Sequence, residues 1–225
     1  MTWYHDSSKT ASTEPTKEEL EEAHSKGVDL GAYAWSRKYG ATHNEILEAH
    51  SKGVDLYSYA WSRKYGATHN EFFDAHSKGV DLDSYGDALK YGATHNEILD
   101  AHSKGINIGP YAYARCYGAI HDEILEAHSK GVDLYSYGSA LKYGATHNEF
   151  FDAHNKGIDI SAYAYARCHS AIHDEILEAH SKGVDLDLYS YGNARKYGAT
   201  HNEILDAHNK GIDISAYAYA RCHSA

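Results

Sequence analysis

Thr42 to Ala67 reads THNEILEAHSKGVDLYSYAWSRKYGA, and close copies of this stretch fill almost all of the 225 residues. The glycine of its AH-x-K-G segment recurs at Gly27, Gly53, Gly79, Gly105, Gly131, Gly157, Gly183 and Gly211, a spacing of 26 residues six times and 28 once. A fixed period of this size marks a repeat architecture. Within the unit, Thr42-His43-Asn44-Glu45 has the form of a capping box: the threonine hydroxyl accepts from the glutamate amide while the glutamate side chain reaches back. Ile46, Leu47, Ala49 and His50 carry the helix on, and Gly53 suits the left-handed turn that ends it. Asp55 caps a second helix, from Leu56 to Tyr65, which Gly66 closes. Acidic Glu45 and Glu48 come early and Lys52 late in the first helix, and Arg63 and Lys64 fall in the last turn of the second, all matching the helix dipoles. The unit is therefore a helical hairpin.

Helical spacing sorts the faces. His43, Ile46, Leu47 and His50 form one stripe on the first helix, and Leu56, Tyr59, Ala60 and position 63 form another on the second. Position 60 is only ever alanine or glycine (Ala34, Gly86, Ala112, Gly138, Ala164, Gly192, Ala218), small enough for a neighbouring helix to approach closely. One hairpin cannot bury its own stripe, but stacked copies can. The expected fold is an all-α solenoid, a superhelical array of eight short hairpins over residues 16–225. Its first hairpin, starting at Thr16, has Lys17 and Glu21 where the next has His43 and Leu47, and so serves as a polar N-terminal cap. Residues 1–15 read as a flexible arm in which Trp3 and Tyr4 are available for docking.

Composition alone points elsewhere. Leu, Ile, Val and Phe make up only 36 of the 225 residues and the net charge is −11, both signs of disorder. Against this stand 21 tyrosines, whose rings supply apolar area while each hydroxyl seeks a partner. With consistent caps and a strict period, the folded array is the expectation. No charged start followed by an apolar run, and no membrane-length apolar stretch, is found, so a cytoplasmic protein is expected.

Residues 119–170 and 171–225 are near duplicates, lengthened by an extra Asp-Leu within residues 184–188. The last segment, from Ile214, repeats internal text without a polar cap, and an apolar end face of that kind marks association. A homodimer through Tyr217, Tyr219 and Arg221 is expected from it, paired about a two-fold axis.

Histidine is the feature that invites a metal or haem. Seven lie at first-helix starts (His43, His69, His95, His121, His147, His173, His201) and eight near the ends (His24, His50, His76, His102, His128, His154, His180, His208). The two in one helix are seven residues apart, roughly 10.5 Å at the α-helical rise, too far to share a zinc ion. HNEILEAH is not H-E-x-x-H. His43-Asn44-Glu45 matches part of a zinc-deaminase signature but lacks its P-C-x-x-C. The expected arrangement is a ladder of imidazoles, each bonded to a tyrosine hydroxyl or a backbone carbonyl of a neighbour. Such buried neutral rings would make the array loosen in acid. A His-lined metal or haem carrier is the alternative; no cofactor and no metal ligand is assigned.

Cys116, Cys168 and Cys222 share one repeat position, too far apart to bridge in a regular stack. An unbridged, odd set fits a reducing compartment. No phosphate loop, Ser–His–Asp pattern or paired carboxylate is present, so no catalytic residue is named and no enzyme is expected. The acidic balance disfavours nucleic acid. Variation concentrates at positions 57 and 61 of the second helix, which read Gly31/Trp35, Tyr57/Trp61, Asp83/Asp87, Gly109/Tyr113, Tyr135/Ser139, Ser161/Tyr165 and Ser215/Tyr219. Aromatic side chains varying on a fixed frame suggest a recognition surface. Trp35, Tyr57, Trp61, Tyr113, Tyr135, Tyr165 and Tyr219 are its candidate partner-binding residues, for a protein partner or a second copy.

Repeats of the form G-A-T-H-x-E-[IV]-L-x-A-H-x-K-G-[VI]-D-L, followed by Tyr-Ala-x-Ala-Arg, resemble tandem repeats in proteins of actinobacterial bacteriophages. The likeness covers roughly residues 16–225 and implies a source rather than an activity. G-V-D-L after a glycine-capped helix is also similar to ankyrin repeats, but the period is 26 where ankyrin has about 33, and T-P-L-H is absent. Together these features describe a non-enzymatic binding or self-assembling scaffold.

Overall fold

Every hairpin begins with a side chain satisfying the first amides of a helix. In the computed structural model, residues 14–184 and 188–223 are described. The arm with Trp3 and Tyr4 and the insertion around Asp187 lie outside the described residues. Thr42 Oγ1 accepts the Glu45 amide at 3.3 Å, and the Glu45 carboxylate accepts the Thr42 amide at 2.7 Å. The same box opens the first helix of each hairpin at Thr16, Thr68, Thr94, Thr146 and Thr200. At Ile120 and Ile172 no hydroxyl is present and only the glutamate half remains. Asp55 accepts the Ser58 amide at 2.9 Å to start the second helix. Gly53 then shows why its position recurs: at φ +71° it turns the chain so that the Val54 amide reaches Ala49 O at 3.1 Å.

Sixteen helices of nine residues follow one another among the described residues, with no strand. The hairpins divide into two compact units, residues 1–112 and 113–225. The first holds α1 (Lys17–Ser25), α2 (Leu30–Lys38), α3 (His43–Ser51), α4 (Leu56–Lys64), α5 (His69–Ser77), α6 (Leu82–Lys90) and α7 (His95–Ser103). α8 (Ile108–Cys116) runs through the boundary. The second holds α9 (His121–Ser129), α10 (Leu134–Lys142), α11 (His147–Asn155), α12 (Ile160–Cys168), α13 (His173–Ser181), α14 (Leu188–Lys196), α15 (His201–Asn209) and α16 (Ile214–Cys222). The helix expected from Leu56 to Tyr65 ends one residue earlier, at Lys64, with Tyr65 as its C-cap.

Each unit is a stretch of α-solenoid. In the first, α2, α4 and α6 lie side by side over fully buried Tyr33, Tyr59 and Tyr85, with Ile46, Phe72 and Ile98 supplied by the odd helices. In the second, α10, α12, α14 and α16 repeat the arrangement over Tyr137, Tyr163 and Tyr191. Two details differ from the helical-wheel expectation. Ala49 shares the buried stripe with Ile46, whereas His43, Leu47 and His50 are only half-buried; a nine-residue helix hides the narrow strip facing its own hairpin and leaves the flanks open. Ser36 and Ser62 are also fully buried. The Ser62 hydroxyl donates back to Ser58 O at 2.9 Å, so it packs as a small apolar group where the even helices meet. Lys17 and Glu21 on α1 are exposed and paired at 3.5 Å, the polar covering expected there. No helix among the described residues is long and apolar enough to cross a membrane.

Candidate functional site

The histidines form rungs. The Tyr59 hydroxyl meets His69 Nδ1 at 3.0 Å, His69 Nε2 meets Glu48 Oε2 at 3.3 Å, and Lys52 Nζ donates to Glu48 Oε1 at 2.6 Å. A carboxylate only accepts, so Nε2 carries the proton and Nδ1 accepts from the phenol. The four residues come from three helices of two hairpins. The same chain links Tyr33–His43–Glu22–Lys26 and Tyr85–His95–Asp74–Lys78 in the first unit. In the second it links Tyr137–His147–Glu126–Lys130, Tyr163–His173–Asp152–Lys156 and Tyr191–His201–Glu178–Lys182. Of the later histidines, His50, His102, His180 and His208 donate through Nε2 to the lysine carbonyl that ends the first helix of the preceding hairpin. The ladder has the form expected from the sequence, with one addition: Glu48 and its equivalents join neighbouring hairpins rather than simply facing solvent. Burial pushes the Tyr59, Tyr85, Tyr137, Tyr163 and Tyr191 hydroxyls well above their ordinary range. Among the described residues no group of three or more His, Cys, Asp or Glu side chains is arranged to hold a metal ion.

The aromatic candidates separate into two kinds. Trp61, Tyr113 and Tyr165, all half-buried, lie against the following even helix. A Cβ built on Gly86 would stand 2.5 Å from Trp61 Cδ1, one on Gly138 2.6 Å from Tyr113 Cδ1, and one on Gly192 2.6 Å from Tyr165 Cδ1. Their polar ends reach the same helix: Trp61 Nε1 donates to Asp87 at 3.0 Å, and Tyr165 OH donates to Asn193 at 2.8 Å. These three rings are packing between repeats as much as surface. Tyr57 and Tyr135, by contrast, are 50% and 53% exposed. Trp35 leans on Tyr57 and Trp61, with ring centroids 6.0 and 6.1 Å away. Tyr113 leans on Tyr135 at 5.6 Å. Tyr189, at 40% exposure, completes the set. Helical-wheel comparison missed it because the inserted residues shift the count, yet Leu-Tyr-Ser-Tyr-Gly at 188–192 repeats 134–138 letter for letter.

These rings wall two open cavities. In the first unit one of about 320 Å³ is lined by the rings of Trp35, Tyr57 and Trp61 and by the carboxylates of Asp55, Asp83 and Asp87. Partial burial pushes the Asp55 carboxyl up, but hydrogen bonds from the Ser58 hydroxyl and from backbone amides outweigh it and hold Asp55 below the usual carboxylate range. In the second unit a cavity of about 280 Å³ is walled by Tyr135, Tyr165 and Tyr189 together with Ser136, Ser139 and Ser161, and among the described residues no carboxylate lines it.

The residues expected to self-associate are unequal. Arg221 is engaged within the array: it donates to Gly198 O and Tyr217 OH, both at 3.1 Å, and pairs with Glu203 at 3.5 Å. Tyr217 is half-buried beside it, whereas Tyr219 is 68% exposed. The three cysteines are free thiols. Tyr143 and Tyr197 each hydrogen-bond the cysteine 25 positions on, Cys168 and Cys222, which raises the phenol pKa. No protein-family model matches the chain, and no curated protein matches it either.

Proposed function

We propose that the chain is a non-enzymatic binding scaffold whose even helices present an aromatic edge to a protein partner. The supporting observation is the exposure of Tyr57 and Tyr135, about half in solvent beside half-buried rings. Trp61, Tyr113 and Tyr165 are accounted for by packing on the next helix, whereas Tyr57 and Tyr135 keep about half their surface exposed even with the Tyr57 hydroxyl donating to Asp29 at 3.3 Å, and exposed aromatics next to a cavity are what binding hot spots are made of. The partner is not nucleic acid, since a chain of net charge −11 repels phosphates, and it is not a membrane. The likeness to bacteriophage repeats suggests a host cytoplasm or a virion as the setting.

The test is selection of a random peptide library on the immobilised chain, followed by binding measurements on the consensus peptide. Tyr57→Ser with Tyr135→Ser is the discriminating variant, because Ser161 and Ser215 already occupy that repeat position. A consensus whose affinity drops about tenfold or more in the variant, with the melting temperature unchanged, supports the scaffold. A consensus indifferent to both tyrosines counts against it.

Self-association has its own observation. Tyr219 takes the repeat position of Trp61, Tyr113 and Tyr165, yet it is 68% exposed. Two copies pairing through this face would cover it. Light scattering that gives a monomer at high micromolar concentration removes this reading.

A further inference from the structure

The first-unit cavity differs from its counterpart in charge: three aspartates line it, and among the described residues no carboxylate lines the other. Both are walled by aromatic rings, tryptophan and tyrosine in the first and tyrosine alone in the second. Only the first is lined by carboxylates, because repeat positions 57 and 61 are aspartate in α6, as Asp83 and Asp87, and nowhere else. Both tryptophans of the described residues are also here. We propose that this groove binds the guanidinium of an arginine in a basic peptide segment of a partner, an inference that rests on the scaffold reading above.

A guanidinium is planar, weakly hydrated and forked. It stacks on an indole or phenol face while its N–H groups meet carboxylates edge-on. The groove supplies both halves. Trp35 and Trp61, tilted 37° to one another with centroids 6.1 Å apart, make a continuous aromatic floor with Tyr57. Asp55 caps α4, and Asp83 and Asp87 line the first two turns of α6. Asp83 accepts from Ser58 Oγ at 2.5 Å and Asp87 from Trp61 Nε1 at 3.0 Å, so both are held at the rim. The Trp61 ring already takes cations on its face: Lys64 and Lys90 lie 4.8 and 5.4 Å from it. Those lysines come from the last turns of α4 and α6, whereas the carboxylates come from the first two. The charged side chains that line the groove are all carboxylates, which favours a cation seated among them.

The chain itself provides variants that remove the charge and keep the fold. Asp83→Ser leaves a serine pair like Ser136–Ser161 and Ser190–Ser215, at 3.3 and 2.6 Å. Asp87→Asn keeps an acceptor for Trp61, as Asn193 does for Tyr165. The experiment titrates the full chain with acetyl-Gly-Arg-Gly-amide and follows the indole N–H resonance of Trp61 by NMR. The same tripeptide with citrulline, neutral and of the same shape, is the comparison. The arginine peptide is expected to shift Trp61 saturably, the citrulline peptide to bind about tenfold more weakly, and D83S/D87N to lose the same about tenfold. E18Q/E21Q removes two charges from α1, away from the groove, and is expected to bind like the parent. An equal loss in E18Q/E21Q, an equal response to citrulline, or no movement of Trp61 would overturn the proposal. A neutral consensus peptide that still depends on Tyr57 would sink this inference alone and leave the scaffold reading standing.

Discussion

The ring of Trp61 rests on Gly86, so closely that a methyl group there would come within 2.5 Å of Cδ1. The pairing recurs as Tyr113 on Gly138 and Tyr165 on Gly192. Where position 61 is not aromatic, as at Asp87, Ser139 and Asn193, the next hairpin has alanine instead: Ala112, Ala164 and Ala218. Trp35 is the exception, followed by Ala60 and leaning on Tyr57 and Trp61. Gly86→Ala is therefore expected to destabilise despite the better helix propensity of alanine. Overpacking costs about 1–3 kcal/mol against a propensity gain of about 1 kcal/mol. Adding Trp61→Ser should turn the same change into a stabilising one. Chemical denaturation of the two singles and the double tests this, and additive effects would refute the steric account.

Tyr59→Phe removes the hydroxyl that donates to His69 Nδ1 at 3.0 Å. The ring stays, so packing is nearly conserved, but a part-buried nitrogen loses its partner. A loss of about 1–2 kcal/mol is expected. Because His69 also bonds Glu48 of the preceding hairpin, the change weakens a joint between repeats. Hydrogen exchange should therefore rise in α3 and α5 together, whereas a purely local effect would leave α3 unchanged.

Acid is expected to loosen the array by a route other than the one the histidines alone suggest. Each of six rings carries a carboxylate on Nε2, so a protonated imidazole gains an ion-pair partner rather than an unpaired buried charge. The carboxylates of these rungs are themselves pH-sensitive. Hydrogen bonds from Lys52 and from His69 hold Glu48 below its ordinary value of 4.5, and Asp74 is held below 3.8 by Lys78 and His95 in the same way. Glu22, Glu126, Asp152 and Glu178 are lowered likewise. A depressed folded-state pKa contributes stability that is present above the ordinary carboxylate range and lost as pH falls through the folded value. The melting temperature should therefore fall most steeply below pH 4.5. A drop completed by pH 5 would restore the histidine explanation.

The hairpin, its caps and its period are legible in Thr42–Ala67 because they depend on residues three or four apart, and local rules govern those. The tyrosine–histidine bond was legible too, since a buried imidazole must find a partner. What eluded the pattern depends on neighbouring hairpins. Glu48 reads as a solvent-facing helix residue until His69 of the following hairpin arrives beside it. Trp61 reads as surface until Gly86 is seen beneath it, although alternation of glycine with alanine carried that signal. The acidic wall of the first cavity needs Asp55, Asp83 and Asp87 from two hairpins, and no single repeat displays it.

Ser170 is the one described residue other than glycine with positive φ, at 65°. It stands where Gly66, Gly118 and Gly144 stand in other hairpins. An L-residue in this region pays about 1–2 kcal/mol in steric strain, and glycine gives back part of that through its freer unfolded chain. Ser170→Gly should stabilise by up to about 1 kcal/mol. Arg195 donates to the backbone carbonyl of Ser170 at 2.8 Å, a contact that survives the change, and a melting curve unchanged or lowered would contradict the prediction.

Ile172 sits at the N-cap of α13, 58% exposed and without a hydroxyl for the Glu175 amide, while its own amide still donates to Glu175 Oε2 at 3.2 Å. Thr42, Thr68 and Thr146 make both bonds from the same position. Ile172→Thr restores the missing half and removes an exposed apolar side chain, at no cost in buried area. A gain of about 1 kcal/mol is expected, and the same at Ile120 in α9. The two sites lie in different hairpins with no shared partner, so the double variant should gain their sum. Urea denaturation of both singles and the double measures this directly, and a gain at neither site would show that the half-box already satisfies these helix starts.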